Sequence, residues 1–403
     1  MATKSSDKSK KSNDLIAIKK CDTYIQQDVD RSVETLFDLL GGVERFVEKG
    51  NTVLLKPNLL APGPAEKSRT THPSVVIAVA KIVRKAGGKV IIGDSPAIGS
   101  GAHVAKSNGL LDLCQKEKFT FVPFDEEEQT KYPAGRLVKT FPLVKEVSQA
   151  DVIINLPKIK THGLTSMTCC VKNNFGCVAG INKGQYHLKF QDRKDFSRML
   201  LDVYACVAPD LTIVDGIVGM DGKGGPAHGN PVQLGVLLAG TDCVALDIQI
   251  CRMLGIDPSD IPTNIIASEE GSADFLNSNI DLVGDKVGQL KFSFPRPGSD
   301  ASRFAPRLLM RFMSARLNAS PCILDNCIGC SDCEKICPAK AIEMRPRNDG
   351  KPQQKSHIDY KKCIRCYCCH EICRYNAIEL RRPLLGRAMS RIARFVNARL
   401  LNR

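Results

Sequence analysis

The 403-residue sequence predicts an α/β protein with a mostly parallel sheet covered by helices, followed by a smaller C-terminal α+β module built around cysteines. Three observations carry this. Short β-type runs alternate with amphipathic helical runs from Leu15 to about Gly298. Ten of the eighteen cysteines fall between Cys322 and Cys373. A hydrophobic content of 43% beside 25% charged residues supplies a core and excludes a disordered or coiled-coil chain.

The elements follow in order. Strands are expected at 15–19, 52–56, 89–93, 119–123, 151–155, 211–215, 234–239 and 280–283, where β-branched and aliphatic residues run together between turn signals. Helices are expected at 33–40, 73–85, 102–118, 195–207 and 241–254. The clearest is 73–85, with Pro73 in its first turn, Val76, Val79, Ala80 and Val83 on one face, and Gly87-Gly88 as a stop. His72 precedes Pro73 and suits a cap. The chain divides into a disordered basic tail (1–14), the α/β domain (15–298), a basic amphipathic linker helix (299–320), the cysteine-rich module (321–383) and a basic amphipathic helix (384–403).

The formal net charge is +14, and it is concentrated in three segments: +3 in residues 1–13, +4 in 301–319 and +7 in 381–403. The rest is neutral, so nucleic acid is an unexpected partner, and no recognition motif accompanies the basic tails. In 303–317, Leu309, Phe312, Met313 and Leu317 recur at helical spacing among arginines. In 384–401, Leu385, Met389, Ile392, Val396 and Leu400 do the same. Both stretches suit peripheral contact with an anionic membrane surface, an acidic partner, or packing on the main domain. No apolar run approaches the ~18 residues of a membrane span, and the N-terminus lacks the apolar core of a secretory signal, so a cytoplasmic location is expected, peripheral to the inner membrane face.

Open α/β sheets bind ligands at the carboxyl ends of their strands, and polar residues gather there. Strand 52–56 runs into Lys56-Pro57-Asn58 and strand 89–93 into Asp94. Strand 151–155 runs into Lys158, Lys160 and His162, and strand 211–215 into Asp215 and a loop with six glycines from Gly216 to Gly229. Lys158, Lys160 and His162 are expected to anchor an anionic small molecule, with Asp94 and Asp215 handling protons or metal. Lys56, Asn58, Lys172, Asn173 and backbone N–H groups of Gly219 and Gly222 are expected to complete the binding site. No nucleotide fingerprint identifies a further organic cofactor: Gly222-Lys223 is followed by Gly224, so there is no Walker A sequence, and Gly99-Ser100-Gly101 lacks a third glycine. Cys169, Cys170 and Cys177 read as buried apolar cysteines, with a third metal site as the alternative.

Eight cysteines near the carboxyl end repeat one spacing, C-x2-C-x2-C-x3-C, first as Cys327, Cys330, Cys333, Cys337 and then as Cys363, Cys366, Cys369, Cys373. In this arrangement the first three thiolates wrap one 4Fe-4S cluster and the fourth reaches the other. One cluster is then expected on Cys327, Cys330, Cys333 and Cys373, and the second on Cys363, Cys366, Cys369 and Cys337. A pair of zinc ribbons is the alternative, but these use two CxxC pairs without the third cysteine and x3 step. Residues 321–383 resemble bacterial two-cluster ferredoxins: Pro338 follows Cys337, and Ala341-Ile342-Glu343 mirrors Ala377-Ile378-Glu379. Arg374 stands where the second Pro would be.

Leu54-Leu55-Lys56-Pro57-Asn58, Thr71-His72-Pro73, Gly93-Asp94-Ser95-Pro96, 156–162, 171–176, 215–222 and 240–247 together resemble the iron-sulfur proteins that carry the domain of unknown function 362. The resemblance covers roughly residues 15–380 and implies no particular reaction. More loosely, the N-terminal order of strand, turn and helix is similar to lactate-racemase-type architecture. The leading expectation is a ferredoxin-linked redox protein whose clusters relay electrons to or from the anionic ligand, served by a ferredoxin, flavodoxin or reductase. The competing expectations are an electron carrier or cluster-delivery protein without its own substrate, and a non-redox, isomerase-like ligand-binding domain with structural or sensing clusters.

Overall fold

A computed structural model describes residues 14–96, 99–180, 182–223, 225–226, 228–271, 280–295, 319–347 and 354–381. The expected basic tail, most of the linker helix and the C-terminal helix lie outside these residues. Twelve strands belong to the α/β part: β1 Asp14–Lys20, β2 Thr52–Pro57, β3 Lys89–Ile92, β4 Thr120–Phe121, β5 Glu127–Lys131, β6 Thr140–Val144, β7 Val152–Leu156, β8 Lys158–His162, β9 Ser166–Thr168, β10 Leu211–Asp221, β11 Asn230–Gly240 and β12 Ile280–Gly284. The helices are α1 Gln26–Leu39, α2 Pro73–Lys85, α3 Gly101–Ser107, α4 Leu110–Glu117, α5 Lys145–Gln149, α6 Cys170–Asn173, α7 Asn182–Lys189, α8 Arg193–Val207, α9 Cys243–Met253 and α10 Pro262–Glu269.

Ten strands form one sheet in the order β12-β1-β11-β10-β7-β2-β3-β4, with β8 on β10 and β9 on β8; β5 and β6 form a separate hairpin. The run β10-β7-β2-β3-β4 is parallel, whereas β11 is antiparallel to both β1 and β10. Alternate residues of each strand enter different cores, as the two-residue period requires. Leu54, Val214 and Leu238 face the core under α8, α9 and α10, while Val53, Leu55, Ile213 and Leu237 face the core under α1 and α2. Helices on both faces explain why β7 is buried at every position.

Several boundaries differ from expectation for local reasons. The expected helix 102–118 is two helices, because Gly109 takes a left-handed φ of +83° and the Asn108 side chain accepts from Leu110 N to restart the helix. The hairpin of β5 and β6 was not expected; β5 is mostly exposed and polar, so it lacks apolar alternation. β10 runs to Asp221 and β11 begins at Asn230, so much of the expected glycine loop is strand, with a register shift between Gly216 and Val218. Residues 158–162, which follow the expected strand 151–155, form a further strand, β8.

The cysteine-rich module pairs β13 (Ser320–Ile323) with β16 (Ile378–Arg381), and β14 (Ile342–Arg345) with β15 (Lys355–Ile358). Helices α11 (Asp332–Ile336) and α12 (Cys368–Ile372) occupy equivalent places in its two halves. Each follows a loop in which left-handed residues straddle the second cysteine: Gly329 and Ser331 in one half, Arg365 and Tyr367 in the other. These tight turns fold three sulfurs onto one centre. Arg374 lies 3.0 Å from Asp332 and ties the two halves together. The module docks on the α/β part, where Tyr367 and Leu380 join its larger core. Gly163 sits at the contact; a Cβ there would lie 3.1 Å from Leu380 and 3.5 Å from Tyr367.

Candidate functional site at the domain interface

The carboxyl ends of β2, β3, β7 and β10, together with β8, bring the expected polar residues to one region, where most neutralise one another. Lys56 is fully buried; its ammonium lies 2.8 Å from Asp94 Oδ1 and donates to Pro57 O and Asn173 Oδ1. Asn58 Nδ2 donates to the same Asn173 oxygen at 3.0 Å. Gly176 makes this possible, because a Cβ there would lie 2.3 Å from Asp94 Oδ1 and 2.6 Å from Lys56 Nζ. Asp247 accepts from the backbone N–H groups of Cys170 and Val171, fixing the start of α6, which carries Lys172 and Asn173.

Lys158 donates to Asp215 Oδ2 at 2.9 Å and to Tyr24 Oη at 2.6 Å, while Tyr24 donates to Asp215 Oδ1 at 2.8 Å. His72 stacks on Tyr24 with centroids 3.7 Å apart and caps α2 through Nδ1, and its backbone N–H reaches Asp215. Burial pushes the Tyr24 hydroxyl upward and the Lys158 ammonium downward, with Asp215 opposing the latter. Lys158 and Asp215 thus form a closed internal pair rather than groups turned to a ligand.

Lys160 donates to Asn58 Oδ1 at 2.5 Å and to Arg69 O at 2.6 Å. Burial, then the charges of Lys172 and Lys158, lower its pKa to about 7. His162 Nδ1 accepts from Leu164 N and Thr165 N, so its proton sits on Nε2, 3.0 Å from Glu371 Oε1 in α12. Burial and Lys172 hold His162 down at about 4. Burial would raise the Glu371 carboxyl, but His162 and Lys172 outweigh it and hold the group at about 2.

Lys172, half-buried, faces Glu371 and Cys368, and burial lowers its pKa. Among the described residues its ammonium takes part in no hydrogen bond or ion pair, in contrast to Lys56, Lys158 and Lys160. Lys183 of α7 adds a cation that the strand-end rule did not mark; it donates to Ser95 O and Oγ at 2.8 and 2.7 Å, with burial lowering it to about 7. Tyr24 and Glu371 also escaped sequence reading. Nothing near Tyr24 marks it, and Glu371 reads as an ordinary helix carboxylate between two cysteines.

Gly219 and Gly222 do not offer their N–H groups to a ligand. Gly219 lies inside β10 opposite Val232, with room only for hydrogen because a Cβ would come 2.7 Å from Leu234; Gly222 N donates to Ser293 O. The shift of strand character to 216–221 is the cause. Cys169, Cys170 and Asp247 bring their ligand atoms within 4.8 Å of one another, whereas Cys177 is not in that group.

Two cavities lie among the described residues of the module. The first is bordered by Cys327, Cys330, Cys333 and Cys373, the second by Cys337, Cys363, Cys366 and Cys369. Backbone N–H groups of Ala341 and Ala377 donate to Cys337 and Cys373 at 3.2 Å, and the Ser356 hydroxyl lies 3.1 Å from Cys333 Sγ. Sulfur donors with N–H···S contacts in a small, mostly apolar cavity fit the chemistry of an iron-sulfur cluster. None of the eighteen cysteines is in a disulfide.

A helix-covered sheet joined to a docked module with two four-cysteine cavities defines an iron-sulfur protein in two parts. The profile of the domain of unknown function DUF362 matches residues 53–252, and that of the 4Fe-4S dicluster domain matches 326–377. The chain is 42% identical over 250 residues to the thylakoid-associated protein sll1697 of Synechocystis, an alignment covering 62% of this chain and 77% of that protein. It belongs to the DUF362 family, with a 4Fe-4S dicluster domain appended.

Among solved structures, the lactate racemase apoprotein of Thermoanaerobacterium thermosaccharolyticum aligns over 58% of this chain and 55% of its own, at 10% identity and a TM-score of 0.38. A Thermotoga maritima protein aligns over 50% and 52%, at 12% identity and a TM-score of 0.33. The chain therefore spans about half the length of these two structures. Among the described residues no helix is long and apolar enough to cross a membrane.

Proposed function

We propose that this protein relays single electrons through two 4Fe-4S clusters to or from an anionic small molecule held at the interface of its two parts. The first cluster is assigned to Cys327, Cys330, Cys333 and Cys373, and the second to Cys363, Cys366, Cys369 and Cys337. When bound, such clusters supply one-electron transfer; the chain's own residues hold and neutralise the ligand. The observation that carries this reading is the position of α12. It holds Cys369 of the second tetrad and places Glu371 against His162 and beside Lys172.

Lys172 is the cation best placed to meet an incoming anion, because Lys56 and Lys158 are already paired with carboxylates. Lys160 and Asn58 orient the adjoining wall. The neutral His162 holds Nε2 3.0 Å from Glu371 Oε1, which draws that carboxylate away from an anionic guest. A redox partner protein would exchange electrons at the first cluster, whose cavity borders the half-exposed Ile328 and Tyr375. The thylakoid-associated relative supports a second element, peripheral membrane contact through the basic segments 299–320 and 384–403.

The test is anaerobic purification followed by mass spectrometry of everything released on denaturation. The reading expects about eight irons per chain and a stoichiometric small anion. A holoprotein that releases iron and sulfide but no small molecule, and binds none, would favour a pure electron carrier.

A further inference from the structure

Arg69, His228 between β10 and β11, and His370 of α12 lie near one another, and each ends in a buried nitrogen without a partner among the described residues: Nε, Nε2 and Nε2 respectively. The two imidazoles lie 6.1 Å apart between centroids, inclined at 61°. His370 is 4% exposed. Its Nδ1 lies 2.6 Å from the carbonyl oxygen of Ile378. A carbonyl can only accept, so Nδ1 carries a proton, and in the neutral ring Nε2 presents a lone pair.

Arg69 Nε–H is a donor, and no carboxylate pairs with this guanidinium among the described residues. His228 is the second donor in its Nε2–H tautomer. The cations acting on His228 are Arg69 and Lys67, with no acidic group opposing them. A metal ion is disfavoured beside Arg69, whereas an anion is favoured. Two donors and one acceptor in a partly dehydrated basic corner match an oxyanion that still carries a hydroxyl.

We propose that Arg69, His228 and His370 form a subsite for a hydroxyl-bearing oxyanion, of which monohydrogen phosphate is the simplest member. The proposal rests on the reading of the interface as an anion chamber. The two abut at Arg69, whose carbonyl accepts from Lys160.

Sulfate has the shape and charge of monohydrogen phosphate but no hydroxyl, so it leaves His370 Nε2 unpaired. Anaerobic holoprotein is titrated calorimetrically with inorganic phosphate and with sulfate at matched ionic strength. Phosphate is expected to bind about tenfold or more tightly than sulfate, since an unsatisfied buried acceptor is worth at least that ratio. Arg69→Gln is expected to weaken phosphate about tenfold or more, and His370→Phe to abolish the preference with iron content unchanged. Equal affinity for the two anions in the wild-type protein overturns the subsite, and so does absence of binding by either. If Lys172→Gln weakens phosphate while Arg69→Gln does not, the subsite is wrong and the chamber stands. If a released native ligand rebinds while phosphate does not, the same conclusion holds.

Discussion

Replacing Glu371 with Ala should weaken the docking of the cysteine-rich module more than it weakens either part alone. In the wild-type protein Glu371 Oε1 lies 3.0 Å from His162 Nε2, with side-chain exposures of 12% and 1%. Glu371→Ala removes the carboxylate nearest the buried His162 Nε2 and facing Lys172. A buried polar contact to one charged group is worth about 1.5–3 kcal/mol; the residual exposure of Glu371 keeps the loss at about 1–3 kcal/mol. The assay is anaerobic urea unfolding, followed by cluster absorbance for the module and by circular dichroism for the whole chain. The wild-type transitions should coincide, while in Glu371→Ala the cluster signal should be lost at lower urea. Adding His162→Phe should recover about 1–2 kcal/mol, because the buried imidazole nitrogen is then gone. Coincident transitions and a loss below about 0.5 kcal/mol in Glu371→Ala would refute the role given to this contact.

Acid should act at the same place. The folded values of His162, about 4 against 6.5, and of Glu371, about 2 against 4.5, mean that the unfolded chain binds more protons than the folded one, from pH 6.5 down to 4 and from 4.5 down to 2. Stability is therefore complete above about pH 6.5 and falls on acidification, with His162 alone accounting for about 3 kcal/mol; a slope between pH 6.5 and 4 that persists unchanged in His162→Gln would contradict this. The crossed ligand sets make Cys327→Ser with Cys373→Ser equivalent to losing one cluster, so the double variant should keep about four irons, whereas near-zero iron would show that each half keeps its own four cysteines. Full-length protein should float with anionic liposomes more than protein lacking 384–403; equal flotation would remove that segment from membrane contact.

The cysteine spacing made the two tetrads legible because thiolates that wrap a cubane must be close in sequence and lie in tight turns. The alternation of strand and helix was legible for a similar reason: α2 and β7 each carry their own local signal. The interior arrangement of the rim was not. Lys56, Lys158 and Lys160 look alike as lysines after strands, yet Lys56 and Lys158 are consumed by Asp94 and Asp215, whose partnership depends on parallel neighbours far apart in sequence. Gly219 and Gly222 were read as loop glycines because two adjacent antiparallel strands can share a glycine-rich stretch with a turn, and composition does not place the boundary. Glu371 and Tyr24 gained their significance only from docking and long-range packing, which a single sequence does not encode in any local pattern.

The claim at the centre of this account is that reduced clusters exchange electrons with a small anion at the interface through a site that needs Lys172. Stopped-flow mixing of the dithionite-reduced, ligand-free holoprotein with the small molecules recovered from denatured protein measures this directly. Cluster absorbance should return at a rate that saturates with concentration. In Lys172→Gln, with unchanged iron content, that rate should fall about tenfold or more, as loss of a charged contact to the anion requires. Reoxidation at the same rate in both proteins, or none in either, would contradict the account.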